Sequence, residues 1–194
     1  MSDLFDRLVS EPRSLNEELW GRGNVFKVFV SSKMSGGVYV AERKSCADTV
    51  DGTRLARAWY WERDANAGPY CSEEVCLQNA ARSDGLILIL GDELTRMTRL
   101  EYEVARRRHL ATFVFVDKRQ TQDEDAREFI RAIRDRGYPV TKNFQNESEL
   151  ETHVIDALME FFSKAGRSHT YRSWESSRES SRPRRRRLAW RGTA

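Results

Sequence analysis

The sequence predicts an α/β fold, a doubly wound sheet of about five parallel strands, and three observations carry that expectation. Strand-like and helix-like segments alternate from residue 25 to residue 165. Residues 86–90 and 112–116 are apolar runs without the in-out alternation of a half-exposed strand, as parallel strands covered on both faces are. The exits of the first and third strands, Ser31-Ser32-Lys33-Met34-Ser35-Gly36-Gly37 and Gly91-Asp92, are polar and carry glycine, which suits strand-to-helix turns. With 194 residues, 39% of them hydrophobic, nine Phe and five Trp, the chain can build one core of ordinary size with appendages.

Taken in order, residues 25–32 are β-branched and aromatic and form the first strand. A helix is expected over 38–55, followed by an aromatic strand near 58–62 and a loop through Asn66-Ala67-Gly68-Pro69. Ser72-Glu73-Glu74 puts acids in the first turn of a helix whose Cys76 and Ala80, like Leu77 and Ala81, lie four apart on one side. After the strand at 86–90, Thr98-Arg99-Leu100-Glu101-Tyr102-Glu103 opens another helix, and 112–116 is the fourth strand. Phe129, Ile130 and Ile133 form the stripe of a helix that begins after Asp123-Glu124-Asp125 and ends at Arg134, Arg136 and Gly137, matching both ends of its dipole. A short strand over 139–144 precedes a last helix, for which Ser148-x-x-Glu151 has capping-box spacing and Leu150, Val154, Leu158, Phe161 and Phe162 supply the apolar stripe. Five strands alternating with helices make the sheet flavodoxin-like.

Both ends stand apart from this domain. Residues 1–24 begin with an amphipathic segment, Leu4, Phe5, Leu8 and Val9, suited to pack on the domain or on a partner. Residues 166–194 hold nine Arg and no Lys against Glu175 and Glu179, a net +7, which leaves −4 on residues 1–165 of a chain at +3. This Arg/Ser-rich tail has too few apolar residues to offset the entropy of ordering and is expected to be disordered. Tyr171, Trp174 and Trp190 interleave with its arginines, a composition that suits nucleic acid as a partner. The acidic, amphipathic start lacks the basic-then-apolar order of a signal peptide, and no run is long enough for a membrane span, so a cytoplasmic protein is expected. Three cysteines without a Cys-x-x-Cys pair and three scattered histidines indicate neither a disulfide framework nor a metal site.

Several features together resemble a known family. They are Val28-Phe29-Val30-Ser31-Ser32, the pair Glu42-Arg43, Asp84 before the third strand, and Thr98-x-x-Glu101-Tyr102-Glu103-x-Ala105. The family is a TIR-like domain, usually N-terminal to NTPase or repeat regions and related to TIR NAD hydrolases and to nucleoside 2-deoxyribosyltransferases; the resemblance spans about residues 25–165. Its relatives break an N-glycosidic bond at C1′ of a ribose or deoxyribose, with a carboxylate stabilising the sugar cation or forming an ester. The resemblance implies that Glu101 is that carboxylate, that NAD is a substrate without a cofactor or metal, and that self-association or a partner protein completes the site. It also implies a role in signalling or defence. A non-catalytic nucleotide-binding or self-association module and a deoxyribosyltransferase-like enzyme are the alternatives.

From the residues themselves, Glu101 follows a strand that exits through Gly-Asp, which puts it at the carboxyl edge of the sheet, where such folds bind ligands. The spacing Thr98-x-x-Glu101 is equally that of a capping box, in which the glutamate only satisfies the Thr98 N–H. Ser31 and Ser32 are candidates to donate to a ribose or phosphate, or are an ordinary polar turn. Trp61 is a candidate to stack on a base, or a core aromatic. Asp92 is a candidate for a ribose hydroxyl, or stabilises its own turn. Thr98 completes the set of substrate-binding candidates.

Overall fold

Four stretches of the chain, residues 2–10, 25–69, 71–136 and 139–180, are described by a computed structural model. Five strands, β1 (Phe26–Ser31), β2 (Ala56–Trp59), β3 (Gly85–Leu90), β4 (Ala111–Asp117) and β5 (Thr141–Phe144), form one sheet in the order β2-β1-β3-β4-β5. Every pairing is parallel. This is the flavodoxin-like order, and its topological switch point lies between β1 and β3. β3 is buried along its whole length, which is why its sequence shows no alternation.

The helices are α1 (Ser2–Ser10), α2 (Val40–Gly52), α3 (Trp61–Asp64), α4 (Ser72–Arg82), α5 (Arg96–Arg107), α6 (Glu124–Asp135) and α7 (Glu147–Ser180), with a 3-10 turn at Ser35–Gly37. α4, α5 and α6 cover one face of the sheet, where Cys76, Leu77, Ala80, Tyr102, Ala105, Phe129 and Ile130 pack on Leu86, Leu88, Leu90, Val114 and Val116. Alternation along β3 sends Ile87 and Ile89 to the opposite face, which is covered by α2 and the first turns of α7; Ser45 of α2 donates to Glu151 of α7 at 2.7 Å. The N-terminal α1 packs on α4 and α5. Leu8 is buried there, its carbonyl accepts a hydrogen bond from Arg108, and the Arg107 guanidinium lies 5.0 Å from the Phe5 ring centroid.

Three local expectations need correction. The second strand ends at Trp59, and Trp61 opens α3 instead of closing a strand over 58–62. The reason is visible in the hydrogen bonds: the Asp64 carboxylate accepts from the Tyr60 N–H at 3.0 Å, and the Asp64 N–H donates to the Tyr60 carbonyl at 3.1 Å, folding the aromatic run back on itself. Thr98 is not an N-cap, because α5 begins two residues earlier and Thr95 caps it by accepting from the Thr98 N–H at 3.2 Å. Likewise the cap of α7 is Asn146, which accepts from the Glu149 N–H at 2.9 Å while the Glu149 carboxylate accepts from the Gln145 N–H at 2.8 Å. Glu151, freed from the cap, meets Ser45.

The chain divides into two compact units, residues 1–157 and 158–194. The first holds the whole sheet. The second starts inside α7, whose backbone is described as far as Ser180; the run Arg182-Pro183-Arg184-Arg185-Arg186-Arg187 lies outside the described residues. Among the described residues no helix is long and apolar enough to cross a membrane.

Candidate functional site

Glu101 lies on the stripe Thr98, Glu101, Tyr102 and Ala105, the positions of one helical face, and all four are buried. The register that buries Tyr102 and Ala105 therefore forces a carboxylate into the interior. Glu101 is 4% exposed and its Oε2 accepts a hydrogen bond from the Ser31 hydroxyl at the carboxyl end of β1. The Cys76 thiol on α4 is a second hydrogen-bonding partner of the same carboxyl. Burial drives the Glu101 pKa up to about 7, against the pull of Ser31, Cys76 and the more distant Arg43 charge. The Cys76 thiol is in turn pushed up, first by its own burial and then by the Glu101 charge.

Ser32, the next residue, serves the other face of the sheet, where its hydroxyl accepts from Arg43 of α2. Arg43 is 1% exposed and every arm of its guanidinium is used. Nη1 also donates to the carbonyls of Lys33 at 2.9 Å and Val38 at 3.2 Å, Nε lies 3.0 and 3.1 Å from the two Glu62 oxygens, and Nη2 completes the pair with Glu62. Burial works against Glu62 ionisation, but the Arg43 hydrogen bonds prevail and hold its carboxyl below the usual range. One side chain thereby ties the β1 exit, the turn before α2 and the short α3 together.

Across the switch point, Lys33 reaches from β1 to the exit of β3 and pairs with Asp92 and Glu93, each at 2.9 Å. Asp92 is thus the acceptor of an ion pair that spans the crevice. Beyond it, Tyr39 caps α2 in the left-handed region at φ 64 and lays its ring over Gly91, where an added Cβ would stand 1.6 Å from the phenol oxygen. Burial and the neighbouring Asp117 push that phenol up. Met34, Trp59, Trp61 and Met97, all half-buried, pack against the core that holds Cys76 and Tyr102. Trp59 stacks on Phe29 with ring centroids 5.0 Å apart.

Of the residues singled out in the sequence, the structure brings Glu101 and Ser31 together by a direct bond, turns Ser32 to the opposite face, and gives Asp92 to Lys33. Trp61 joins the aromatic rim from α3. Thr98 is buried and bonded to Thr95 through their hydroxyls at 2.8 Å, a structural position. Asp84 belongs to the other edge of the sheet, where its carboxylate accepts from the Lys27 N–H at 2.8 Å. Lys33, Tyr39, Glu62 and Cys76 were not singled out as site residues, and neither was Arg43. For Arg43 a signal existed: with Cys46, Ala47 and Val50 it completes an i, i+3, i+4, i+7 stripe, so its charge sits on the inward face of α2.

The fold and this edge define a flavodoxin-like α/β domain with the carboxyl of Glu101 buried beside its switch point. The chain belongs to the family described as Domain of unknown function (DUF4062), whose model matches residues 27–159. A solved structure, the crystal structure of a conserved protein from Enterococcus faecalis, is similar at 12% identity, with 68% of this chain and 98% of that chain covered and a TM-score of 0.47. No curated protein matches the chain.

Proposed function

We propose that this domain cleaves the N-glycosidic bond of NAD, as a TIR-like glycohydrolase or cyclase, with Glu101 as the carboxylate that meets the developing charge at C1′. The observation that carries the reading is that Glu101 is a buried carboxyl at the carboxyl edge of the sheet, bonded to Ser31, and is not consumed by a helix cap. A carboxylate desolvated in this way interacts with a nearby sugar cation far more strongly than one in water. In the hydrolytic course, the bond from C1′ to the nicotinamide nitrogen breaks with its electron pair going to nicotinamide. Water then adds to C1′ and releases a proton, giving ADP-ribose. Trp61 and the other half-buried apolar side chains offer a stacking surface for a flat base, and Lys33 offers a cation for the pyrophosphate once it leaves Asp92 and Glu93.

The ion pair of Lys33 across the crevice supports a second reading, a nucleotide-binding or self-association module without turnover. The deoxyribosyltransferase-like alternative rests on Thr98 and Glu101 alone and is weakened by the structural use of Thr98. Time-resolved chromatography of NAD with concentrated protein, beside Glu101→Gln and Glu101→Ala, separates these readings. Nicotinamide release by the parent and a loss of at least about a hundredfold in both variants is the expected result. Equal release by all three would remove Glu101 from the mechanism, and binding without release would favour the module.

A further inference from the structure

On the α6 side of β4, away from Glu101, a groove of about 290 Å³ is lined by four cations, Lys118, Arg127, Arg131 and Arg134, and by one carboxylate, Asp135. Its floor is apolar, made by Val116 of β4 and Ile130 of α6, both buried, while the cations around it are exposed. Arg127, Ile130, Arg131 and Arg134 fall at i, i+3, i+4 and i+7, so three guanidinium groups share one face of α6. Like charges at those spacings weaken a helix instead of supporting it. Arg127 is relieved by Glu124 at 2.5 Å. Arg134 is held differently: its Nε donates to Thr141 Oγ1 at 2.9 Å and its Nη2 to Asn143 Oδ1 at 3.0 Å. Two neutral acceptors on β5 fix its guanidinium without cancelling its charge. The groove therefore gathers oriented positive charge over an apolar floor, at a volume near the lower end of small-molecule sites, which begin at about 300 Å³.

We infer that this groove binds a phosphomonoester of the size of a nucleoside monophosphate, at a site separate from Glu101. A phosphomonoester brings nearly two negative charges at neutral pH and three acceptor oxygens, a match for guanidinium forks. Val116 and Ile130, both buried, close the bottom of the groove, so the body of the ligand rests between the cationic side chains. An acidic peptide would need a longer track than the groove offers.

The test is a titration of the full chain with AMP, with adenosine and with inorganic phosphate, followed by amide chemical shifts, in parent, Lys118→Ala/Arg131→Ala and the surface control Lys27→Ala/Arg57→Ala. The expected result has AMP shifting Val116 and Ile130, adenosine leaving them unmoved and phosphate binding more weakly than AMP. The groove double variant should lose at least tenfold in affinity while the control retains it, with affinity falling as salt rises. Unchanged AMP affinity in the groove variant, shifts confined to Ser31, Trp61 and Asp92, or no saturable shift at all would overturn the inference. The first two outcomes bear on this groove and leave the role of Glu101 standing.

Discussion

The hydroxyl of Ser31 donates to the carboxylate of Glu101 across 70 positions of sequence, joining the end of the first strand to the second turn of α5. This bond favours the charged form that burial disfavours. Ser31→Ala should therefore raise the Glu101 titration midpoint above its parental value near 7 by about one unit, the size expected of one hydrogen bond to a charged group. Carbon-detected NMR titration of the side-chain carboxyl measures it, and an unmoved midpoint would show that the bond carries no weight.

Stability should carry the same signature. The folded-state pKa of Glu101, about 7, lies above the ordinary value of 4.5, so the folded state holds a proton that the unfolded chain has released. That contribution is fully present below about pH 4.5 and is lost as pH rises through 7. Glu101→Gln keeps the neutral hydrogen-bonding shape and should gain on the parent as pH rises, by on the order of 3 kcal/mol at pH 8 relative to pH 4.5. Urea melts at the two pH values give the comparison; parallel pH profiles would contradict it.

Gly91 has no room for a side chain because the Tyr39 ring occupies the space. Gly91→Ala should cost about 2 kcal/mol or more, through displacement of a buried ring whose backbone is already held left-handed. Adding Tyr39→Ala should restore part of that loss, so the double variant is more stable than the sum of the singles. Strict additivity would mean that the two positions do not compete for space.

Arg43 bonds to Ser32, Glu62 and the carbonyls of Lys33 and Val38 at the carboxyl edge. Arg43→Met should destabilise the domain by roughly 3 kcal/mol, since it strands Glu62 and the Lys33 carbonyl together. Arg43→Lys should recover little, because an ammonium cannot reproduce a fork aimed at three segments. Full stability of the lysine variant would show that charge alone matters there.

Much of this could be read in the chain. The alternation of strands and helices and most helix positions followed from periodicity, and the apolar run at 86–90 marked a fully buried strand because burial on both faces leaves a plain compositional mark. The aromatic run misled at 58–62, where β propensity was overridden by the bonds between Tyr60 and Asp64. Both capping boxes were misplaced for one reason: Ser or Thr followed by Glu three positions later recurs by chance near helix starts, and only Thr95 and Asn146 met the amide groups in space. Glu101 was legible as a residue, but its burial depended on the register of its stripe and its partner Ser31 on a distant crossover. Lys33 was hidden because a charged side chain in a polar turn looks solvated until the packing is known, whereas for Arg43 the stripe it shares with Cys46, Ala47 and Val50 was there to be read.

The orientation of Ser31 and Ser32 toward opposite faces has one more implication. Successive residues of an extended chain point to opposite faces, so the register with which β1 runs out into Ser32 sets two polar networks at once. Inserting or deleting one residue in β1 would shift that register, so that Ser31 and Ser32 no longer both hold their own positions and the bonds to Glu101 and to Arg43 are disturbed in a single event. Point substitutions can retune either network alone, whereas changes of strand length can only keep or lose both, which makes this short stretch far less tolerant of indels than of exchanges.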